Sequence, residues 1–202
     1  LHYPLRRQRQ MCIRDSPWGD KLLAESAVKF YAVFDWQPML SEMRLIKSPN
    51  EIRLMQQAGQ ITAFGHIKAM QVTRPNRFEY EIESEILHEF NHHGARFPSY
   101  NSIIAGGDNA CILHYTENDQ PLKDGDLVLI DAGCEFAMYA GDITRTFPVN
   151  GKFTQPQREI YELVLKAQKR AIELLVPGNS IKLANDEVIR IKTQGSVSYT
   201  HL

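Results

Sequence analysis

Gly125-Asp126-Leu127-Val128-Leu129-Ile130-Asp131-Ala132-Gly133 and, after seven intervening residues, Gly141-Asp142-Ile143-Thr144-Arg145-Thr146-Phe147-Pro148 decide the fold of this chain. Asp124-Gly125 is a turn signal, and residues 127–130 are an unbroken apolar run, which reads as a buried strand. A further strand reads over residues 138–147. Asp131 closes the first strand, where a carboxylate is costly without a partner. Asp142 lies on the second. A loop centred between Phe136 and Ala137 makes the two acids cross-strand partners, with Cβ atoms about 4.5–5.5 Å apart. Carboxylates that close repel unless a proton or a cation lies between them. Oxygen donors suit manganese or magnesium better than a thiolate-loving metal. Two such ions about 3.5–4 Å apart can share a carboxylate. The competing reading is local: Asp142 bonds nearby backbone and Asp131 stabilises the turn after it. No Asn-Gly or Asp-Gly marks the loop, which weakens the pairing argument.

Around this pair, helices flank a block of short strands. Ser48-Pro49-Asn50-Glu51 is a capping box with proline at the first helical position. Ile52, Met55, Ile61, Phe64 and Ile67 follow at near-helical spacing, which predicts a helix to about Gln71. A second helix is predicted over residues 79–93, with Ile82, Ile86 and Phe90 on one face and Gly94 as its stop. Strands are predicted at residues 100–105 and 111–115, around the turn residues Gly106 to Asn109. Thr154 and Gln157 form another capping box, opening a helix to about Val176. Pro177-Gly178 ends it, and Ser180 caps the next. The layout is α+β with antiparallel strands.

A second metal motif competes with the first. His88-Glu89-Phe90-Asn91-His92 is a literal H-E-x-x-H, whose histidines share one helical face as zinc requires. A third ligand must come from downstream, with His114 or Glu117 as candidates. The alternative is a plain helix surface, whose last-turn His92 and His93 suit the helix dipole. The plain reading is preferred. His114, between Leu113 and Tyr115, reads first as a hydrogen-bonded structural histidine on a strand. Cys134 reads as a small buried apolar residue rather than a soft ligand.

Composition narrows the function classes. Lys plus Arg number 23 against 24 Asp plus Glu, a formal charge of -1 over 202 residues. That balance offers no field for nucleic acid or an anionic membrane surface. No apolar run approaches the roughly 18 residues of a spanning helix. Three widely spaced cysteines, Cys12, Cys111 and Cys134, with no CxxC, fit a reducing, cytoplasmic setting rather than a disulfide framework.

Several long motifs, in order, are similar to one family. They are Ser41-Glu42-Met43-Arg44-Leu45 with Lys47-Ser48-Pro49, then His93-Gly94-Ala95-Arg96-Phe97-Pro98-Ser99-Tyr100-Asn101, then Ile112-Leu113-His114-Tyr115-Thr116-Glu117-Asn118, and the two stretches quoted at the outset. Over about residues 36–191 the chain resembles the pita-bread metallopeptidases of the Xaa-Pro aminopeptidase (aminopeptidase P) type. The resemblance implies a pita-bread fold with the N-terminal half of the catalytic domain present. It implies a dinuclear manganese site, Mn(2+), in which Asp131 matches a ligand of one ion and Asp142 a ligand bridging both. His114 matches the histidine that holds substrate and stabilises the tetrahedral intermediate. The implied substrates are peptides with proline second, and the implied assembly is a homo-oligomer. On this reading the H-E-x-x-H is a coincidence on a structural helix.

The family's remaining ligands, a histidine and two glutamates, lie further toward the C-terminus than this sequence reaches. The chain is therefore expected to be an internal fragment, inactive by itself. Residues 1–16 and 196–202 read as non-native flanks, residues 17–38 as the end of a preceding domain, and residues 39–195 as part of the catalytic domain. Asp131 and Asp142 argue against a metal-free creatinase-like hydrolase on the same fold; the rivals that stay open are an X-Pro dipeptidase, a non-catalytic binding protein, and the zinc reading of His88 and His92.

Overall fold

The computed structural model describes residues 36–199. The flank expected at residues 1–16 and most of residues 17–38 lie outside the described residues, as do residues 200–202. Contacts divide the chain after Lys47. Ahead of that point, α1 (Gln37–Leu45) carries a proline in its first turn.

From Ser48 on, the order is α2 (Pro49–Val72), α3 (Glu79–His92), β1 (Phe97–Pro98), β2 (Ile103–Gly106), a 3-10 turn (Gly107–Cys111), β3 (Leu127–Ala132), β4 (Cys134–Phe136), β5 (Tyr139–Ala140), β6 (Ile143–Pro148), α4 (Gln155–Leu174) and α5 (Ile181–Tyr199). Both capping boxes form. Ser48 Oγ accepts from Glu51 N and the Glu51 carboxylate accepts from Ser48 N; likewise Thr154 Oγ1 accepts from Gln157 N and the Gln157 side-chain amide oxygen accepts from Thr154 N. These reciprocal bonds satisfy amides that a helix start otherwise leaves open. Ser180 Oγ accepts from Leu183 N at the start of α5. No described helix is long and apolar enough to cross a membrane.

The strands form two antiparallel sheets, ordered β1-β4-β5 and β2-β3-β6. One long hairpin runs through both. β3 pairs with β6 from Leu127↔Pro148 to Ala132↔Ile143, and the same register continues through β4 and β5 to Phe136↔Tyr139. On β3, Val128, Ile130 and Ala132 are buried and alternate with half-buried Leu127, Leu129 and Asp131. The buried set packs on Ala58, Ile61, Ala69, Ile82, Ile86 and Phe90 of α2 and α3. Burying a side chain such as Phe90 or Ile86 contributes about 1.5–3 kcal/mol. Asp131 therefore stands on the face turned away from the helices.

Two expectations need correction. The hairpin turn is Ala137-Met138, one residue further on than expected, so Asp131 faces Thr144 rather than Asp142. Asp142 lies two residues before Thr144, diagonal to Asp131 on the same face. Both turn residues have positive φ, 50° and 73°, as a two-residue hairpin with the right twist requires. Neither is a residue that favours this region, so the sequence carries no turn signal. Replacing Ala137 by Asn and Met138 by Gly is expected to stabilise the chain by about 1 kcal/mol, since left-handed backbone costs ordinary residues about 1–2 kcal/mol each. A rise in Tm of about 2–4 °C checks this.

The strand expected at residues 111–115 is also absent. Beyond Cys111 the chain leaves the 3-10 turn through a bend at Ile112 and a turn at Leu113 and His114, and His114 has φ 56°. A residue in the left-handed region cannot continue a strand. Ile112 and Leu113, which suggest a strand by composition, are exposed. The strand expected at residues 100–105 is β2, starting later at Ile103.

Candidate metal centre and its surroundings

Asp131 and Asp142 are brought together by a third residue. The Tyr100 hydroxyl lies 2.5 Å from Asp131 Oδ1 and 3.1 Å from Asp142 Oδ1. The two carboxylate oxygens thus converge on one polar hydrogen. Burial, with the two carboxylates adding to it, pushes the Tyr100 phenol well above its ordinary value. It stays a donor here.

The backbone explains how Tyr100 arrives there. Ser99 N donates to the Gly133 carbonyl (2.8 Å), and Ser99 Oγ donates to the Gly141 carbonyl (2.8 Å). Gly133 and Gly141 lie where the hairpin passes from one sheet to the other. Ser99 clamps both strands, and the next side chain falls between the two acids.

Helix α2 braces the same junction from behind with a stripe of residues one turn apart. Cys134 N donates to Thr62 Oγ1 (3.1 Å), and Cys134 Sγ lies 3.4 Å from the Ala58 carbonyl. Burial pushes the Cys134 thiol up, in keeping with a small buried apolar role. His66 Nε2 lies 3.2 Å from the Ala132 carbonyl. A carbonyl only accepts, so in the neutral ring Nε2 carries the proton and Nδ1 is the bare, buried nitrogen.

His66 sets a pH dependence. Burial is the main cause that lowers its pKa below 6.5; Arg145 adds to it, and Asp131 and backbone carbonyls oppose it. The unfolded chain then takes up this proton first as pH falls. Stability is expected to decline below about pH 6.5, by up to about 1.4 kcal/mol per pH unit. His66→Gln should flatten that part of the profile, read as urea-unfolding free energy between pH 5 and 7 for both proteins.

His114 lies at the tip of the loop that follows the 3-10 turn, exposed. With Ile103, Leu129, Asp131 and Thr144 it lines a concavity of about 280 Å³ on the outer face of the β2-β3-β6 sheet. The structure thus brings His114 and Asp131 to one hollow, with Asp142 reached through Tyr100.

The H-E-x-x-H residues go elsewhere. His88 and His92 are exposed on α3 with their rings near-parallel, 6.2 Å apart. Glu89 lies 3.5 Å from His93 rather than toward a shared ligand position. Among the described residues no group of three or more His, Cys, Asp or Glu side chains could hold a metal.

Three residues that sequence reasoning did not single out shape the site: Tyr100, Glu79 and Asn118. Asn118 is buried with φ 50°, accepts from Ile104 N (2.9 Å) and donates to the Ser102 carbonyl (2.9 Å). Its amide thus completes the free edge of β2 as a neighbouring strand would. No periodicity marks such residues, because their partners are set by the tertiary fold.

The donor set fits a hard divalent cation. Both acids offer oxygen, both lie on one face, and they converge on a position now served by a single shared hydrogen. Two carboxylates alone fill only part of any such ion's shell.

Comparison with known proteins agrees with this architecture. The sequence profile described as Metallopeptidase family M24 matches residues 53–202. A Xaa-Pro aminopeptidase of Haemophilus influenzae is 88% identical over 180 residues, covering 89% of this chain and 42% of that protein. One from Escherichia coli is 59% identical over 165 residues, covering 82% and 37%. Zinc-substituted E. coli aminopeptidase P in complex with product superposes with a TM-score of 0.82 at 58% identity, covering 84% of this chain and 38% of that one. Proline aminopeptidase P II from Yersinia pestis gives 0.80 at 58% identity, covering 81% and 38%. The chain spans about two fifths of the length of these relatives, and its fold is the corresponding part of their pita-bread fold. On its sequence profile and its fold together, the chain belongs to metallopeptidase family M24.

Proposed function

We propose that the full-length protein is a manganese-dependent aminopeptidase that releases the N-terminal residue of peptides with proline second. The observation that carries this is the convergence of Asp131 and Asp142 on one tyrosine hydroxyl, beside a hollow lined by His114. The names of the similar proteins support the reaction class and the preference for proline.

Asp131 and Asp142 would hold the metal, two Mn(2+) ions on this reading. Bound divalent cations supply Lewis-acid polarisation of a carbonyl and acidify water. The protein groups do the rest. Tyr100 keeps the two carboxylates in register. His114, at the rim, presents its imidazole to the substrate carbonyl and steadies charge as it develops on that oxygen. Ile103 and Leu129 give the hollow an apolar wall that limits water. Residues 39–195 belong on this reading to the catalytic domain, and residues 17–38 to the end of the one before it. A cytoplasmic, homo-oligomeric enzyme is the matching setting, with Cys111 and Cys134 as free thiols.

A peptide panel tests the reaction. The full-length protein with manganese is expected to release the first residue of an X-Pro-Y tripeptide at least tenfold faster than of X-Ala-Y, and to prefer the tripeptide to the X-Pro dipeptide. Preference for the dipeptide would replace this reading with a dipeptidase. No cleavage of any member would leave a binding protein. The 202-residue piece alone is expected to cleave none of them, because two carboxylates hold a metal weakly.

A further inference from the structure

Glu79, the first residue of α3, is 1% exposed, and among the described residues its carboxylate has no ion-pair partner. Four donors do. Gly106 N (2.8 Å) and Asn109 Nδ2 (3.0 Å) reach Oε1, and the Tyr115 hydroxyl (2.7 Å) and Gln120 N (3.0 Å) reach Oε2. Each donor comes from the segment between the end of β2 and the start of β3. His114 sits at the apex of that segment, next to the buried Tyr115, in a left-handed conformation that few side chains adopt unaided.

We propose that Glu79 is a positioning residue for His114: its buried carboxylate gathers the 106–120 segment so that the histidine is held over the hollow beside Asp131. The significance of this rests on the reading of His114 as a substrate-holding group. A buried carboxylate is poor evidence for stability, since an apolar residue could fasten the loop as firmly. What four directional bonds add is a fixed geometry, and only the ionised carboxylate accepts all four. Burial, helped by Glu79, pushes the Tyr115 phenol up to about 12, so it remains a donor at neutral pH. Asn109 also donates to the Tyr115 oxygen (3.1 Å), closing the ring of contacts. Asn118 pins the far side of the same segment to β2. His114 therefore rides between two buried anchors, and Glu79 is the one attached to its immediate neighbour.

Glu79→Gln keeps the shape but turns an N–H2 group toward two donors. In the full-length protein with manganese, hydrogen exchange across residues 106–120 is expected to speed up at least tenfold, with β3 and β6 unchanged. The His114 ring signals in the NMR spectrum should shift. Cleavage of an X-Pro-Y peptide is expected to fall about 30- to 100-fold, the scale of a misplaced group. Manganese affinity should stay within twofold. The Glu79→Gln/His114→Ala double variant should be no slower than His114→Ala alone, because both changes remove one contribution. Should Glu79→Gln fail to fold, Tyr115→Phe removes a single bond and should show the same non-additivity with a loss of about tenfold. Unchanged exchange and unchanged His114 signals overturn the proposal, as do multiplicative losses in the double variant. If the wild-type protein cleaves no X-Pro peptide, the aminopeptidase reading fails separately. Exchange and ring signals then still decide whether Glu79 holds His114.

Discussion

Asp142→Ala in the full-length protein is expected to lower X-Pro peptide cleavage about a thousandfold while leaving Tm within about 2 °C. The two halves of that result have separate causes. Asp142 is exposed, and its carboxylate meets the protein through the Tyr100 hydroxyl. Losing one exposed hydrogen bond costs about 1 kcal/mol or less. Removing one of two neighbouring negative charges offsets part of that cost. The activity loss follows from taking away one of the two carboxylates proposed to hold the metal, a loss on the scale of removing a principal charge-stabilising group. The contrasting substitution is Glu89→Ala, which should leave cleavage unchanged because Glu89 pairs with His93 within the last turn of its own helix. A loss with Glu89→Ala and none with Asp142→Ala would restore the zinc reading of the H-E-x-x-H. Steady-state cleavage rates and thermal melts of the three proteins decide between them.

Gly133→Ala is expected to have the largest effect on folding, about 3 kcal/mol or more, enough to leave much of the chain unfolded at 37 °C. A Cβ at Gly133 would stand 1.9 Å from the Gly141 carbonyl oxygen and 2.8 Å from Ser99 Oγ. Backbone, not a yielding side chain, occupies the space. Gly141 is as crowded: a Cβ there would lie 2.1 Å from Thr62 Oγ1 and 2.8 Å from the Ala58 carbonyl. The two glycines let the strands cross closely where the hairpin changes sheets. That closeness also lets Ser99 bond both carbonyls and deliver Tyr100 between the acids. Stability and site geometry therefore share one cause. Urea unfolding of the 202-residue chain measures the effect. A loss below about 1 kcal/mol would mean that the crossing relaxes easily and is not what places Tyr100.

Much of this was legible in sequence, for reasons that are local. The capping boxes at Ser48 and Thr154 declare themselves in four residues each. The face of α3 that carries Ile82, Ile86 and Phe90 follows from spacing, and all three are buried. The run from Leu127 to Ile130, ended by Asp131, announces a buried strand with a polar end. The failures are equally specific. Ala137-Met138 holds a turn that these residues do not prefer, so the register was misplaced and the diagonal relation of the two acids was missed. Ile112 and Leu113 look like a strand in composition yet face solvent, because Tyr115 beside them is tied to Glu79 across 36 positions. Tyr100 meets Asp131 across 31 positions. Such contacts have no period and no spacing rule, so only the tertiary structure discloses them.

Asp131 and Asp142 are proposed to form an oxygen-donor site for manganese. The most direct measurement takes the full-length protein, strips it with chelator, and titrates manganese while following both bound ion by electron paramagnetic resonance and X-Pro-Y cleavage. Cleavage is expected to disappear on chelation and return with manganese binding, and Asp142→Ala should neither bind two ions nor recover activity. Cleavage that survives chelation, or manganese bound equally well by wild type and Asp142→Ala, would contradict it.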